Sequence, residues 1–352
     1  MESKRPDWFK WGVAAGISAF STMLVATSIQ RYRTQQEQRN LTPLGKLVSL
    51  NGRQWHLISP SKPNGNQSPT VIVESGMGGY SADWLRVLWQ IGEEAAIYVY
   101  DRPGYGWSDP SPSPPTAIQI AQDLKRLLDS EGITQPAIFV GHSYGALATR
   151  AFVHFYPEQV LGAVFVDSAH ESIYQRLPSR LRFLLNQVSW LKVFAILGAR
   201  LGIVRLLARA TAEIDRTRYP GEIFVQYPPE MRQFLITPRC WTNYTQTLFR
   251  ELESFQTSCE QIAALRLEND VVFGNKPLAI VMASTKRSAE RFQQAVPFPA
   301  ESYDREWRAM QMDLLALSTN SRFSVAEESG HLVMAEQPTA IVEAIRWVVQ
   351  HC

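Results

Sequence analysis

Cysteine is scarce in this chain of 352 residues: Cys240, Cys259 and Cys352 are its three. No two stand at the C-x-x-C spacing of a zinc site, and an odd number without paired spacing implies no disulfide framework. Free buried thiols are the preferred reading. Excess charge is missing too: 35 Lys and Arg face 33 Asp and Glu, a formal net charge of +2, and no basic stripe interleaves with aromatics. Nucleic acid is thereby set aside as a partner. With 45% apolar and 19% charged residues, the chain is no disordered protein and can bury a large core.

What is present at the N-terminus differs in kind from the rest. Behind a flank at 1–10, residues 11–29 ("WGVAAGISAFSTMLVATSI") form a run of 19 without a charge, close to the ~20 a helix needs to cross a bilayer. This predicts a transmembrane or signal-anchor helix and a single-pass membrane protein. The alternative is a cleaved signal peptide and a secreted domain, with Lys4, Arg5 and Lys10 as its basic start and Ala26-Thr27-Ser28 as a weak cleavage site. Arg31, Arg33 and Arg39 balance the basic residues ahead of the run, so the positive-inside rule sets no orientation. Polar, Gln-rich residues 30–43 read as a tether.

Beyond the tether, short apolar runs alternate with helical stretches. "KLVSL" and "QWHLIS" flank Asn51-Gly52, a dipeptide that favours a type I′ turn and hence an antiparallel hairpin. Four buried-strand candidates follow at 70–75, 95–101, 136–142 and 161–167, and two more at 277–284 and 322–328, before an amphipathic helix from Pro338 to Gln350. Such alternation predicts an α/β fold with a mostly parallel sheet covered by helices on both faces. Residues 169–276 hold no strand series and are too long for a loop, so they read as a helical cap inserted between core segments 44–168 and 277–352.

Within this frame, "VGHSYGALATR" (140–150) joins a buried strand to a helix. A G-x-S-x-G turn at such a junction is so tight that its flanks, Gly141 and Gly145, must be small, and it holds the Ser143 hydroxyl clear of the sheet. The positive end of the following helix points at the same spot, where an oxyanion would form. A serine hydroxyl is a weak nucleophile and needs a base. His331, in the "SGH" after the last strand, is placed to reach Ser143; His142 adjoins the serine but points away and is assigned support.

Four stretches, "ESGMGG" (74–79), "DRPGYGWSDP" (101–110), "GHSYG" (141–145) and "EESGHLVMAEQP" (327–338), together resemble the α/β-hydrolase fold superfamily, and the resemblance covers residues 44–350. It implies the chain order Ser, acid, His. It also implies an oxyanion hole made by the amides of Met77 and Tyr144, with Ser75 where the family commonly has His, and a reaction that needs neither cofactor nor metal. Glu74, a carboxylate at a strand end, is expected to pair with Arg102 or an amide. Many relatives carry the acid directly after the seventh strand, but "IVMASTKRSAERF" offers no Asp there. Asp167, at the end of the sixth strand, is therefore the preferred acid, and Asp304, Glu290 and Glu171 remain in contention.

The cap sets the substrate in this reading. Residues 181–210 are apolar and carry Arg182, Lys192, Arg200, Arg205 and Arg209 without an acid. Two readings stay open: helices lying on an anionic membrane surface, or cap helices packed over the pocket with their arginines snorkelling to solvent. Either makes the pocket apolar. The expectation is a membrane-anchored serine hydrolase of the esterase or lipase type, taking a small hydrophobic ester or lipid, with the membrane contacted through 11–29 and the cap. Epoxide hydrolases and haloalkane dehalogenases of the fold use an Asp at the elbow, which Ser143 argues against. Thioesterase, C–C hydrolase and cofactor-free haloperoxidase chemistry stay open, as does a non-catalytic binding protein of this fold.

Overall fold

A hairpin starts the sheet. β1 (Lys46–Leu50) and β2 (Arg53–Ile58) pair antiparallel across Asn51 and Gly52, whose φ angles of 52° and 74° are those a primed two-residue turn requires. The computed structural model describes residues 7–59, 69–176, 188–208, 210, 227–284 and 300–352. After α1 (Asp7–Asn40) and the hairpin, the chain runs β3 (Thr70–Glu74), α2 (Leu85–Ile91), β4 (Ala96–Tyr100), α3 (Ala117–Ser130), β5 (Ala137–His142), α4 (Tyr144–Phe155) and β6 (Val160–Val166). The part of 169–276 that is described holds α5 (Val188–Arg200), α6 (Pro229–Ile236) and α7 (Thr242–Glu268). Then follow β7 (Leu278–Ala283), α8 (Ala300–Asp313), β8 (Ser321–Ala326) and α9 (Pro338–His351).

The eight strands lie in the order β1-β2-β4-β3-β5-β6-β7-β8, antiparallel from β1 to β4 and parallel from there to β8. This is the α/β-hydrolase architecture expected. Alternate residues of each strand serve opposite faces, as a period of two demands. Ile72, Phe139, Phe165 and Ile280 join a core with α3, α4, α7 and α8, while Val73, Val140, Val164 and Val281 join another with α2 and α9. Because β3 and β5 to β8 all run the same way, their C-terminal ends share one edge. In open α/β sheets that edge is where ligands bind.

The N-terminal expectations change. Residues 11–29 are helical, but the helix continues through the stretch expected as a tether to Asn40, since Gln, Glu and Arg are good helix formers. Buried Gln30 donates to Cys240 O at 2.9 Å and accepts from Arg205 Nε at 2.9 Å, and Glu37 pairs with Arg205. These contacts fix the second half of α1 against the cap. Among the described residues no helix is long and apolar enough to cross a membrane, so the spanning segment expected at 11–29 is not shown. Five hydroxyl residues and two glycines dilute the apolar run, and two of those hydroxyls, Thr22 and Ser28, turn back to the carbonyls of Ser18 and Leu24.

Candidate active site

Ser143 sits where β5 turns into α4, at φ 50° and ψ −120°, a strained position that a non-glycine residue adopts only when its surroundings enforce it. The enforcement is visible. Ser143 N donates to Val166 O at 3.0 Å, and Ala169 N donates to Ser143 O at 3.1 Å. A Cβ on Gly145 would stand 2.3 Å from Glu74 O, and one on Gly141 would stand 2.7 Å from Ala146 Cα. The elbow glycines are therefore required by close backbone approach.

From this turn the Ser143 hydroxyl donates to His331 Nε2 at 3.1 Å, and His331 Nδ1 donates to Asp167 Oδ2 at 2.6 Å. The carboxylate is buried, which raises its pKa, but the hydrogen bond and charge of His331, the Trp307 indole and the Ala283 amide outweigh burial and hold it below the usual range. Trp307 Nε1 donates to Oδ1 at 2.8 Å and Ala283 N at 3.0 Å. An ionised Asp167 accepts the Nδ1 proton, leaving Nε2 bare to take one from serine. The carboxylate that meets His331 thus follows β6, and the end of β7, which lacks an Asp, supplies an amide to it.

The other carboxylates in contention lie elsewhere. Asp304 is inside α8 rather than at its start, Glu171 is paired with Arg150 and Arg266, and Glu290 falls outside the described residues. His142, buried and held neutral with its pKa pushed down to about 3, donates from Nε2 to His331 O at 2.9 Å. That bond ties the two histidines together.

On the other flank, the loop after β3 runs close to Ser143: a Cβ on Gly76 would come within 3.2 Å of Ser143 Cβ and 2.5 Å of His142 Nδ1. Met77 follows it, and Tyr144 opens α4. Neither amide donates a hydrogen bond among the described residues.

A buried ionic network fixes this loop, and the expected pairing of Glu74 with Arg102 or an amide covers only its first pair. Arg102 donates to Glu74 Oε1 (2.7 Å), Ser75 O (2.5 Å) and Gly76 O (2.7 Å), and from Nε to Glu251 Oε1 (2.8 Å). Glu251, on α7, accepts from Tyr105 Oη at 2.6 Å and Gly78 N at 3.2 Å. Burial raises the Glu74 pKa, with Arg102 and Tyr100 opposing it. Glu251 and Trp307 escaped the sequence reading because each acts across roughly 140 to 175 positions, with no local pattern to mark it.

The pattern of the Alpha/beta hydrolase family matches residues 71–344. The chain belongs to that family. Membership supports hydrolase activity. The chain is 26% identical over 298 residues to an "AB hydrolase superfamily protein" of Gibberella zeae, covering 81% of this chain and 87% of that one. It is 27% identical over 305 residues to the "Probable transporter efuK" of Hormonema carpetanum, 80% of this chain but 39% of the relative's length. Among solved structures, the Cif epoxide hydrolase from Acinetobacter nosocomialis aligns at TM-score 0.64 and 16% identity, over 92% of this chain and 96% of that one. The enol-lactonase from Burkholderia xenovorans LB400 aligns at TM-score 0.58 and 16% identity, over 87% and 100%. At such identity these two structures show the shared fold alone.

Two outcomes follow from the charges around the site. Glu251→Ala leaves Arg102 buried beside a single carboxylate and removes one of the two acceptors of Gly78 N, the Tyr105 hydroxyl remaining; it is expected to lower stability by about 3–5 kcal/mol in urea unfolding, whereas a loss under 1 kcal/mol would mean the network carries little. Glu171 has its pKa held below the ordinary 4.5 because Arg150 and Arg266 outweigh burial. Its folded pKa being the lower, its stabilisation is present above pH 4.5 and disappears as the pH falls below that value. Glu171→Gln should therefore be less stable at neutral pH and show a flatter acid limb, read from melting temperatures across pH.

Proposed function

We propose that this chain is a serine hydrolase that cleaves carboxylic esters bearing apolar acyl or alcohol groups. The observation that carries the reading is the hydrogen-bonded line from Ser143 through His331 to Asp167, with the serine on a strained elbow. Ser143 Oγ attacks the carbonyl carbon while its proton passes to His331 Nε2, and the Met77 and Tyr144 amides receive the negative charge that develops on the carbonyl oxygen. As the tetrahedral species collapses, His331 returns the proton to the leaving alcohol oxygen and an acyl-serine remains. Water then adds under the same base, and the acid leaves with Ser143 restored.

Asp167 orients the imidazole throughout and stabilises its charged form. Apolar substituents suit the surroundings: Trp307 stands edge-on to His331 at 6.3 Å and stacks with Tyr303 at 5.7 Å, and Leu332 beside the histidine is 38% exposed. Epoxide opening in this fold calls for a carboxylate where Ser143 stands, which favours ester cleavage over the activity named for one of the aligned structures.

The deciding test is intact-mass labelling with a fluorophosphonate. A single adduct on Ser143, absent from Ser143→Ala, is the expected result, and p-nitrophenyl esters should then turn over faster with longer acyl chains. Asp167→Asn is expected to lower kcat by about 10⁴-fold with little change in melting temperature. A folded protein that takes no adduct would overturn the proposal and leave a non-catalytic binding role.

A further inference from the structure

Exposed apolar surface is concentrated in one place. Of the 25 large apolar side chains exposed among the described residues, nine lie on α1 and eight between Trp190 and Leu207. A monomeric soluble protein rarely gathers such side chains into adjoining segments unless they meet a partner. The two segments do adjoin: Arg205 bonds to Gln30 and Glu37 of α1, and Gly202 faces Gln30. Trp11 and Trp190 are each 76% exposed and Phe194 is 71% exposed. Exposed tryptophan of this kind suits the boundary between hydrocarbon and water.

Charge gives the second observation. No acid occurs from Trp8 to Gln36 or from Leu177 to Ala212, while Lys192 and Arg205 are already paired with Glu253 and Glu37. Arg31, Arg33 and Arg200 make no ion pair among the described residues. Between α1, the end of α5 and the start of α7 lies a cavity of about 620 Å³, to which Arg31 and Arg200 contribute with Thr27, Thr34, Asn243 and Gln246. Its lining includes no carboxylate. Two guanidinium groups with hydroxyl and amide donors suit a phosphate oxyanion.

We propose that α1 and the Trp190–Leu207 segment form one docking face for an anionic phospholipid bilayer, with the Arg31–Arg200 cavity receiving a lipid phosphate at the level of the headgroups. The apolar side chains enter the interfacial layer and the arginines hold the anionic surface, the combination by which helices lie on membranes. No segment needs to span the bilayer. The proposal is independent of the chemistry at Ser143.

Full-length protein is mixed with sucrose-loaded vesicles of phosphatidylcholine alone, or of phosphatidylcholine with phosphatidylglycerol, and sedimented at low and high salt. Sedimentation with the anionic vesicles, weakened by salt, is expected. Arg31→Ala with Arg200→Ala should lower that partition by about thirtyfold, and Trp190→Ser with Phe194→Ser should abolish it. Both pairs are exposed, so melting temperature and fluorophosphonate labelling of the free protein should be unchanged; that readout keeps a failure here distinct from a failure of the hydrolase reading. Protein that stays in solution with both vesicles would overturn the proposal. So would binding indifferent to lipid charge and to the arginines, or concentration-dependent self-association that the Trp190 and Phe194 substitutions abolish while no vesicle binds, which would make the partner a second copy.

Discussion

Asp167 is a fully buried carboxylate at the mouth of a parallel sheet, and an ion in that position must be met on every side or lose its charge. Three groups meet it: the His331 imidazole, the Trp307 indole and the Ala283 amide. They arrive at the end of β6 from β7, α8 and the loop after β8, so the whole second half of the sheet must be in register for the charge to be tolerated. The same register puts β5 beside β6, and the Val166 carbonyl then receives the Ser143 amide at the elbow. Hence the backbone strain at Ser143 and the ionisation of Asp167 depend on one piece of sheet geometry.

A second set of buried ions ties α7 to the core. Arg102 grips the carbonyls of Ser75 and Gly76, and Glu251 reaches from α7 to the Gly78 amide. Water cannot compete at these buried positions, so the loop that carries Met77 is held by charge-assisted hydrogen bonds at the strength a low dielectric gives them. Among the described residues the amides of Met77 and Tyr144, beside Ser143, donate no hydrogen bond. In the proposed reaction a loop fixed in this way would carry no reorganisation cost as an oxyanion forms.

The outer half of α1 and the apolar face of the cap stand apart from this economy of satisfied groups. Their side chains have no core to enter, and their basic residues are more numerous than the acids beside them. Among the described residues Arg205 connects the two segments, through Gln30, Thr34 and Glu37. The surface is thereby a property of assembled helices, neither of which presents it alone.

All eight strands, the Asn51-Gly52 turn and the final helix were legible in the sequence, because each is coded by local periodicity and turn chemistry within about ten residues. Ser143 and His331 were legible for the same reason, since the elbow and the "SGH" loop are local signatures. Which carboxylate meets His331 was not legible in the sequence: Asp167, Asp304, Glu171 and Glu290 differ only in which neighbours surround them, and it is Asp167 that meets it because β6 lies beside β7 and opposite the His331 loop. The extent of α1 was also a tertiary matter, because residues 30–40 have helical propensity on their own yet are held as helix by Arg205 and Trp241, some 170 and 200 positions away. Sequence by itself determined the order of elements and the tight turn at Ser143, which depend on neighbours along the chain. Tertiary structure alone decided which carboxylate meets His331, the brace on the loop after β3 and the course of the N-terminal helix, because each depends on charges that meet only after the sheet has closed.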